Sequence, residues 1–192
     1  MNLINVLRKC ESECKRTGAS PTHTAMNGGK YYVAANAYDE FMSAYIEAIN
    51  AGKFLSIVEQ HRYIGPAIVD IDLRQSEPTR IYDDADVRLF VKAFFKKLAK
   101  YVVVPENTQC FVLEKQKPRE SNIPGTWKDG VHLVVPDVVT HPCIQHTVRK
   151  DMLANWKSFD TDDYLTGPSD MYDEAVIERN GEDGLHYTHR IT

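Results

Sequence analysis

The segment Ala67-Ile-Val-Asp70-Ile-Asp72-Leu73 sets two carboxylates two residues apart inside an otherwise apolar run. Branched apolar residues after the Gly65-Pro66 irregularity predict a strand over residues 63–72. Successive side chains of a strand leave from opposite faces, so Asp70 and Asp72 stand side by side with Ile68 on their face. Val69, Ile71 and Leu73 fill the other face. Like charges held roughly 7 Å apart repel, which disfavours both ionised forms unless a cation lies between them. Hard divalent ions take oxygen ligands, commonly one or two carboxylates together with substrate phosphates. The plainer alternative is a strand end hydrogen-bonded to water and to Arg74.

The rest of the chain supplies layers for such a strand. Leu3, Val6, Leu7, Cys10 and Cys14 recur at helical spacing, and Gly18 stops the pattern. Residues 18–29 read as loop, 30–35 as a strand, and Phe41, Ala44, Tyr45, Ala48 and Ile49 as a helix from Tyr38 to Gly52. Residues 54–58 read as another strand. Val87, Leu89, Phe90, Ala93, Phe94, Leu98 and Tyr101 predict a helix whose polar face carries Lys92, Lys96, Lys97 and Lys100. Residues 110–113 and 130–135 read as strands joined by a polar loop, 115–128, and 142–156 as a helix. This interleaving predicts an α+β fold with α/β-like layering, helices packed on a sheet.

Composition is ordinary for a globular chain: 192 residues, 43% hydrophobic and 26% charged. Disordered and disulfide-scaffold classes are excluded, and four scattered cysteines suit a reducing compartment. The N-terminus has no signal-peptide core, and no apolar run reaches the roughly 18 residues of a membrane span, so the chain is expected to be intracellular and soluble, with no membrane partner. A net charge of −4 rules out a uniformly basic coat. The charge is uneven, however. Lys92, Lys96, Lys97, Lys100, Lys115, Lys117, Arg119 and Lys128 gather mid-chain and are expected to form a basic groove for single strands.

Two further segments carry candidate chemistry. Lys128-Asp129-Gly130-Val131-His132 puts an imidazole one step into an apolar strand, behind a glycine expected to open room for an anionic ligand. Asp173, in Met171-Tyr172-Asp173, offers a third carboxylate from a distant segment. His141, Cys143 and His146 cluster as well but lack a Cys-x₂-Cys partner set for zinc.

In this order the three motifs resemble those of the archaeo-eukaryotic primase superfamily: Asp70 with Asp72, then Gly130-Val131-His132, then Asp173. Their spacings resemble those of the primase domains of poxvirus-like, large-DNA-virus primase-helicases. The resemblance covers roughly residues 30–180. It implies a catalytic sheet resembling an RNA-recognition motif over about 61–180, beside an N-terminal α/β unit over about 1–60, with the active site in a crevice between them. Residues 1–192 would form one catalytic domain, the N-terminal part of a longer chain. Asp70, Asp72 and Asp173 would hold Mg²⁺ or Mn²⁺, and His132, Lys128, Gly130 and Arg190 would contact the nucleotide. The implied activity is primer synthesis on single-stranded DNA from nucleoside triphosphates at a viral or plasmid replication site, alongside a helicase. Gly130 stands where the family often has Ser, and His189-Arg190 only faintly matches its later Arg-containing segment. Rivals for the carboxylate pair are an Asp-x-Asp glycosyltransferase, a metal-dependent nuclease and a non-catalytic primase-like binding domain.

Overall fold

The architecture is that of a computed structural model describing residues 2–25, 28–53, 56–60, 64–159 and 161–173. Helices and antiparallel sheets make up the fold, which is of the expected α+β class. The chain divides into two compact units with a boundary between Arg62 and Tyr63.

The first unit opens with α1 (Leu3–Thr17), started by the Asn2 side chain, which accepts from the Ile4 amide. Gly18 closes it in the left-handed conformation at φ 64°. Strands β1 (His23–Ala25), β2 (Lys30–Tyr31) and β3 (Ile57–Glu59) make a small sheet in the order β2-β1-β3, and α2 (Tyr38–Asn50) packs beside α1. Leu3, Val6, Cys10, Val33, Phe41, Ala44 and Ala48 fill this unit's core. Two expectations are corrected here: residues 18–29 are not all loop, since they contain β1, and the strand predicted over 30–35 ends at Tyr31. Of the strand expected at 54–58, residues 54 and 55 lie outside the described residues.

The second unit is built on two long antiparallel strands, β4 (Gly65–Gln75) and β7 (Trp127–Thr140), paired along their length except for a register shift between Pro66 and Ala67. β5 (Phe111–Glu114) and the short β6 (Arg119–Glu120) both line the other side of β7. β6 lies within the stretch read as a polar loop. Helix α3 (Asp84–Leu98) starts at a capping box between Asp83 and Asp86, and α4 (Pro142–Leu153) follows a His141 cap.

Val69, Ile71 and Leu73 of β4 and Val131, Leu133 and Val135 of β7 share one core with Phe90, Phe94 and Leu98 of α3 and Val148 and Met152 of α4. Each such buried side chain contributes about 1.5–3 kcal/mol relative to exposure. The two helices therefore cover one face of the sheet. Leu89, assigned to the apolar stripe of α3 by spacing, is instead exposed.

Candidate active site

Alternation along β4 now has a definite outcome. Ile71 is buried among the core residues while Asp70 and Asp72 point from the opposite face, as the two-residue period requires. The antiparallel register sets Asp70 against His132, Asp72 against Gly130 and Arg74 against Lys128. On the far side of β7, Leu113 lies against His132, Phe111 against Val134, and Arg119 against Lys128.

Rows of like chemistry therefore run across the sheet. Arg74, Lys128 and Arg119 form a cationic row at one end. Next come Asp72 with Gly130, then Asp70 with His132 and Leu113, and last Ile68 with Val134 and Phe111.

His132 Nε2 lies 3.0 Å from Asp70 Oδ1. The contact with Asp70 is the main reason that the His132 pKa is raised above the ordinary imidazole value. The charges of Asp70 and Asp72 add to the shift, while burial and Lys115 oppose it. Although the pair is at ion-pair distance, no hydrogen bond of good geometry closes on the buried Asp70 Oδ1. The Asp70 side chain is 13% exposed, that of His132 36% and that of Asp72 42%. One carboxylate is thus sunk into the sheet and its neighbour opens to solvent. A buried carboxylate oxygen left without a hydrogen bond is costly, and a bound cation would satisfy it.

The free edge of β4 is met by the end of α5 (Pro168–Met171). Tyr172 bridges Ile71, and the Asp173 amide donates to the Asp70 carbonyl at 3.0 Å. The Tyr172 ring is buried in the core, so alternation sends the following Asp173 side chain to the face bearing Asp70. Arg149 of α4 secures this segment by donating to the carbonyls of Tyr172 and Ser169. Backbone pairing thus brings Asp173 to the edge where the acidic pair lies. Among the described residues no three His, Cys, Asp or Glu side chains are gathered as a formed metal centre.

The family model of the C962R protein N-terminal AEP domain, an archaeo-eukaryotic primase family, matches residues 22–182. The chain belongs to that family. It is similar to a protein of Acanthamoeba polyphaga mimivirus named as a helicase, L207/L206, with 30% identity over 168 residues, covering 83% of this chain and 17% of that protein. A protein of Invertebrate iridescent virus 6 named as a helicase, 184R, is 29% identical over 147 residues, covering 67% of this chain and 15% of that protein. The chain spans less than a fifth of the length of these curated relatives. No helix among the described residues is long and apolar enough to cross a membrane.

Of the residues singled out in this AEP domain, Asp70, Asp72, Gly130, His132 and Lys128 share one stretch of sheet, with Asp173 at its edge. Arg190 lies outside the described residues. Two expectations are corrected. Gly130 does not open room for a ligand: a Cβ there would fall 2.2 Å from the Ile71 carbonyl oxygen, so the space is taken by β4 itself. Nor do the mid-chain lysines make one groove. Lys92, Lys96 and Lys97 ride on α3, on the covered side of the sheet, whereas Lys128 and Arg119 belong to the acidic side. Lys100 is paired with Asp151 at 3.1 Å.

Sequence reasoning missed Arg80 and Asp129. Asp129 is fully buried behind Gly130, and Arg80 reaches it with Nε at 2.8 Å and Nη2 at 3.1 Å. Asp129 Oδ1 also accepts from the Gly130 amide at 2.9 Å, and Tyr82 donates to the Gly130 carbonyl at 3.3 Å. The Asp129 contact raises the Arg80 pKa further, and burial raises that of Tyr82. Arg80 and Asp129 are 49 positions apart, so only the fold brings them together.

Proposed function

We propose that this sheet face is the catalytic site of a primase-polymerase that joins nucleoside triphosphates into primers on a single-stranded DNA template. The observation that carries the reading is the meeting of three sequence-distant motifs: Asp70 beside Asp72 on β4, His132 at 3.0 Å from Asp70, and Asp173 hydrogen-bonded through its backbone to Asp70. Family membership supports the same chemistry, and the helicase names of the viral relatives fit a place in DNA replication.

Asp70, Asp72 and Asp173 would hold Mg²⁺ or Mn²⁺, whose oxygen preference matches an all-carboxylate donor set. The unsatisfied Asp70 Oδ1 and the solvent-facing Asp72 fit that role. When bound, such an ion lowers the pKa of the attacking 3′-hydroxyl and neutralises charge on the leaving pyrophosphate.

The chain's own groups supply the positioning. His132, beside Asp70 on the same face, would present a ring N–H donor to phosphate oxygens. The row Arg74, Lys128 and Arg119 lies next to the carboxylates, at the end of the face suited to the triphosphate. Fixed charges of this kind stabilise charge that develops on the transferring group without reorganising during the reaction. A helicase, carried in the same chain or acting beside it, would expose the template.

The test offers labelled ribonucleotides and deoxynucleotides, each with Mg²⁺ or Mn²⁺, on a single-stranded template with and without a primer. Template-dependent products of primer length are expected. Degradation of the DNA without nucleotide, or metal-independent single-strand binding with nothing incorporated, would replace the reading with a nuclease or a binding domain. Metal-dependent affinity for a nucleoside-diphosphate sugar over plain triphosphates would point to glycosyl transfer.

A further inference from the structure

Lys115 stands one residue beyond the last β5 pair, Glu114 with Val131, and so continues toward Gly130. Like Phe111 and Leu113, it falls on the acidic side of the sheet by the two-residue period. Across β7 from it is Asp72, itself paired with Gly130. The Lys115 ammonium crosses over the glycine to reach Asp72 Oδ1 at 3.5 Å and donates to the Asp129 carbonyl at 3.1 Å.

The base of this lysine is fixed. Arg80, clamped on Asp129, donates through Nη2 to the Lys115 carbonyl. The backbone is therefore anchored by the Arg80–Asp129 ion pair while the side chain is 29% exposed. A long flexible stem on a fixed base lets the ammonium swing between neighbouring partners at little cost.

We propose that Lys115 is a nucleotide-binding residue of this site, neutralising Asp72 while the site is empty and turning to the triphosphate when Asp72 takes a divalent ion. The proposal rests on the catalytic reading above and adds a residue to it. A monovalent ammonium at 3.5 Å and a divalent ion compete for the same carboxylate, and the higher charge wins close contact. The displaced ammonium then lies between the acidic row and the cationic row of Arg74, Lys128 and Arg119, where phosphates carrying the opposite charge would be placed.

Two binding measurements on the wild-type chain and the Lys115→Met, Lys115→Gln and Lys115→Arg variants test this. The first is titration with Mn²⁺ alone, and the second is titration with a non-hydrolysable nucleoside triphosphate in saturating Mn²⁺. Met and Gln should tighten Mn²⁺ binding about two- to fivefold, because a competing surface charge is gone. The same variants should weaken nucleotide binding about tenfold or more, and Arg should retain it within a few-fold. Opposite shifts in the two titrations are the signature. A merely structural lysine would move both the same way or neither, and that result would overturn the role of Lys115. Thermal melting confirms that each variant is folded, and Gln serves if Met is not. A wild-type chain that binds no nucleoside triphosphate would remove the catalytic reading and this role together, whereas normal wild-type binding matched by Met and Gln would remove Lys115 alone.

Discussion

Arg80 holds Asp129 from two sides, with Nε 2.8 Å from one carboxylate oxygen and Nη2 3.1 Å from the other. Asp129 is fully buried, so removing the guanidinium leaves a charge in the interior without its partner. Arg80→Met should destabilise the domain by about 3 kcal/mol, read as a lowered denaturant midpoint. Adding Asp129→Asn should restore part of that loss, because the orphaned charge is gone. A double variant that loses the full sum of the two single losses would show that the pair is not coupled.

Asp70→Asn and Asp72→Asn keep the size of each side chain and remove its charge. Primer synthesis should fall about a hundredfold or more for either variant. The fold should persist, since Asp72 is 42% exposed and its pairing with Lys115 is worth at most about 1 kcal/mol. Synthesis at the wild-type rate by a folded Asp70→Asn protein would detach the acidic pair from catalysis.

Local pattern carried the site further than it carried the fold. The apolar run around Asp70 and Asp72 dictates their common face whatever the tertiary context, and the same logic orients His132. β1 escaped because three residues, His23-Thr-Ala25, are too few for a period to be visible. β6, two residues long, escaped for the same reason. Nearness in sequence groups the α3 lysines with Lys128, but the helix covers the face opposite the carboxylates. Arg80 and Asp129 gave no local signal at all, since a single Arg in a turn-rich loop becomes informative only once its distant partner is known.

Gly130 is demanded by the backbone. At φ 156° it lets β7 approach so closely that a methyl group would sit 2.2 Å from the Ile71 carbonyl oxygen. Gly130→Ala should therefore cost more than about 1 kcal/mol and separate the strands where Asp72 and Lys115 meet. Amide hydrogen exchange at Val131 and His132 should accelerate relative to the same amides in wild type, with the first unit unchanged. Unchanged exchange and stability would mean that β4 can yield at that point.

His23 supplies a pH dependence in the first unit. Its ring is buried, 4.8 Å from the Phe41 ring, with Nδ1 at 2.9 Å from the Thr22 hydroxyl. Burial lowers its pKa from 6.5 to about 4. The unfolded chain takes up this proton as the pH falls through the ordinary imidazole range, while the folded protein resists until near pH 4. The contribution is thus fully present above about pH 6.5 and is lost progressively on acidification, the loss reaching about 2 kcal/mol by about pH 5. In denaturant melts between pH 7 and pH 5, wild type should lose stability that His23→Gln does not lose, because Gln has no proton to gain. The window stops above the carboxylate range so that Asp and Glu contribute little. Parallel curves for the two proteins would assign the acid sensitivity elsewhere.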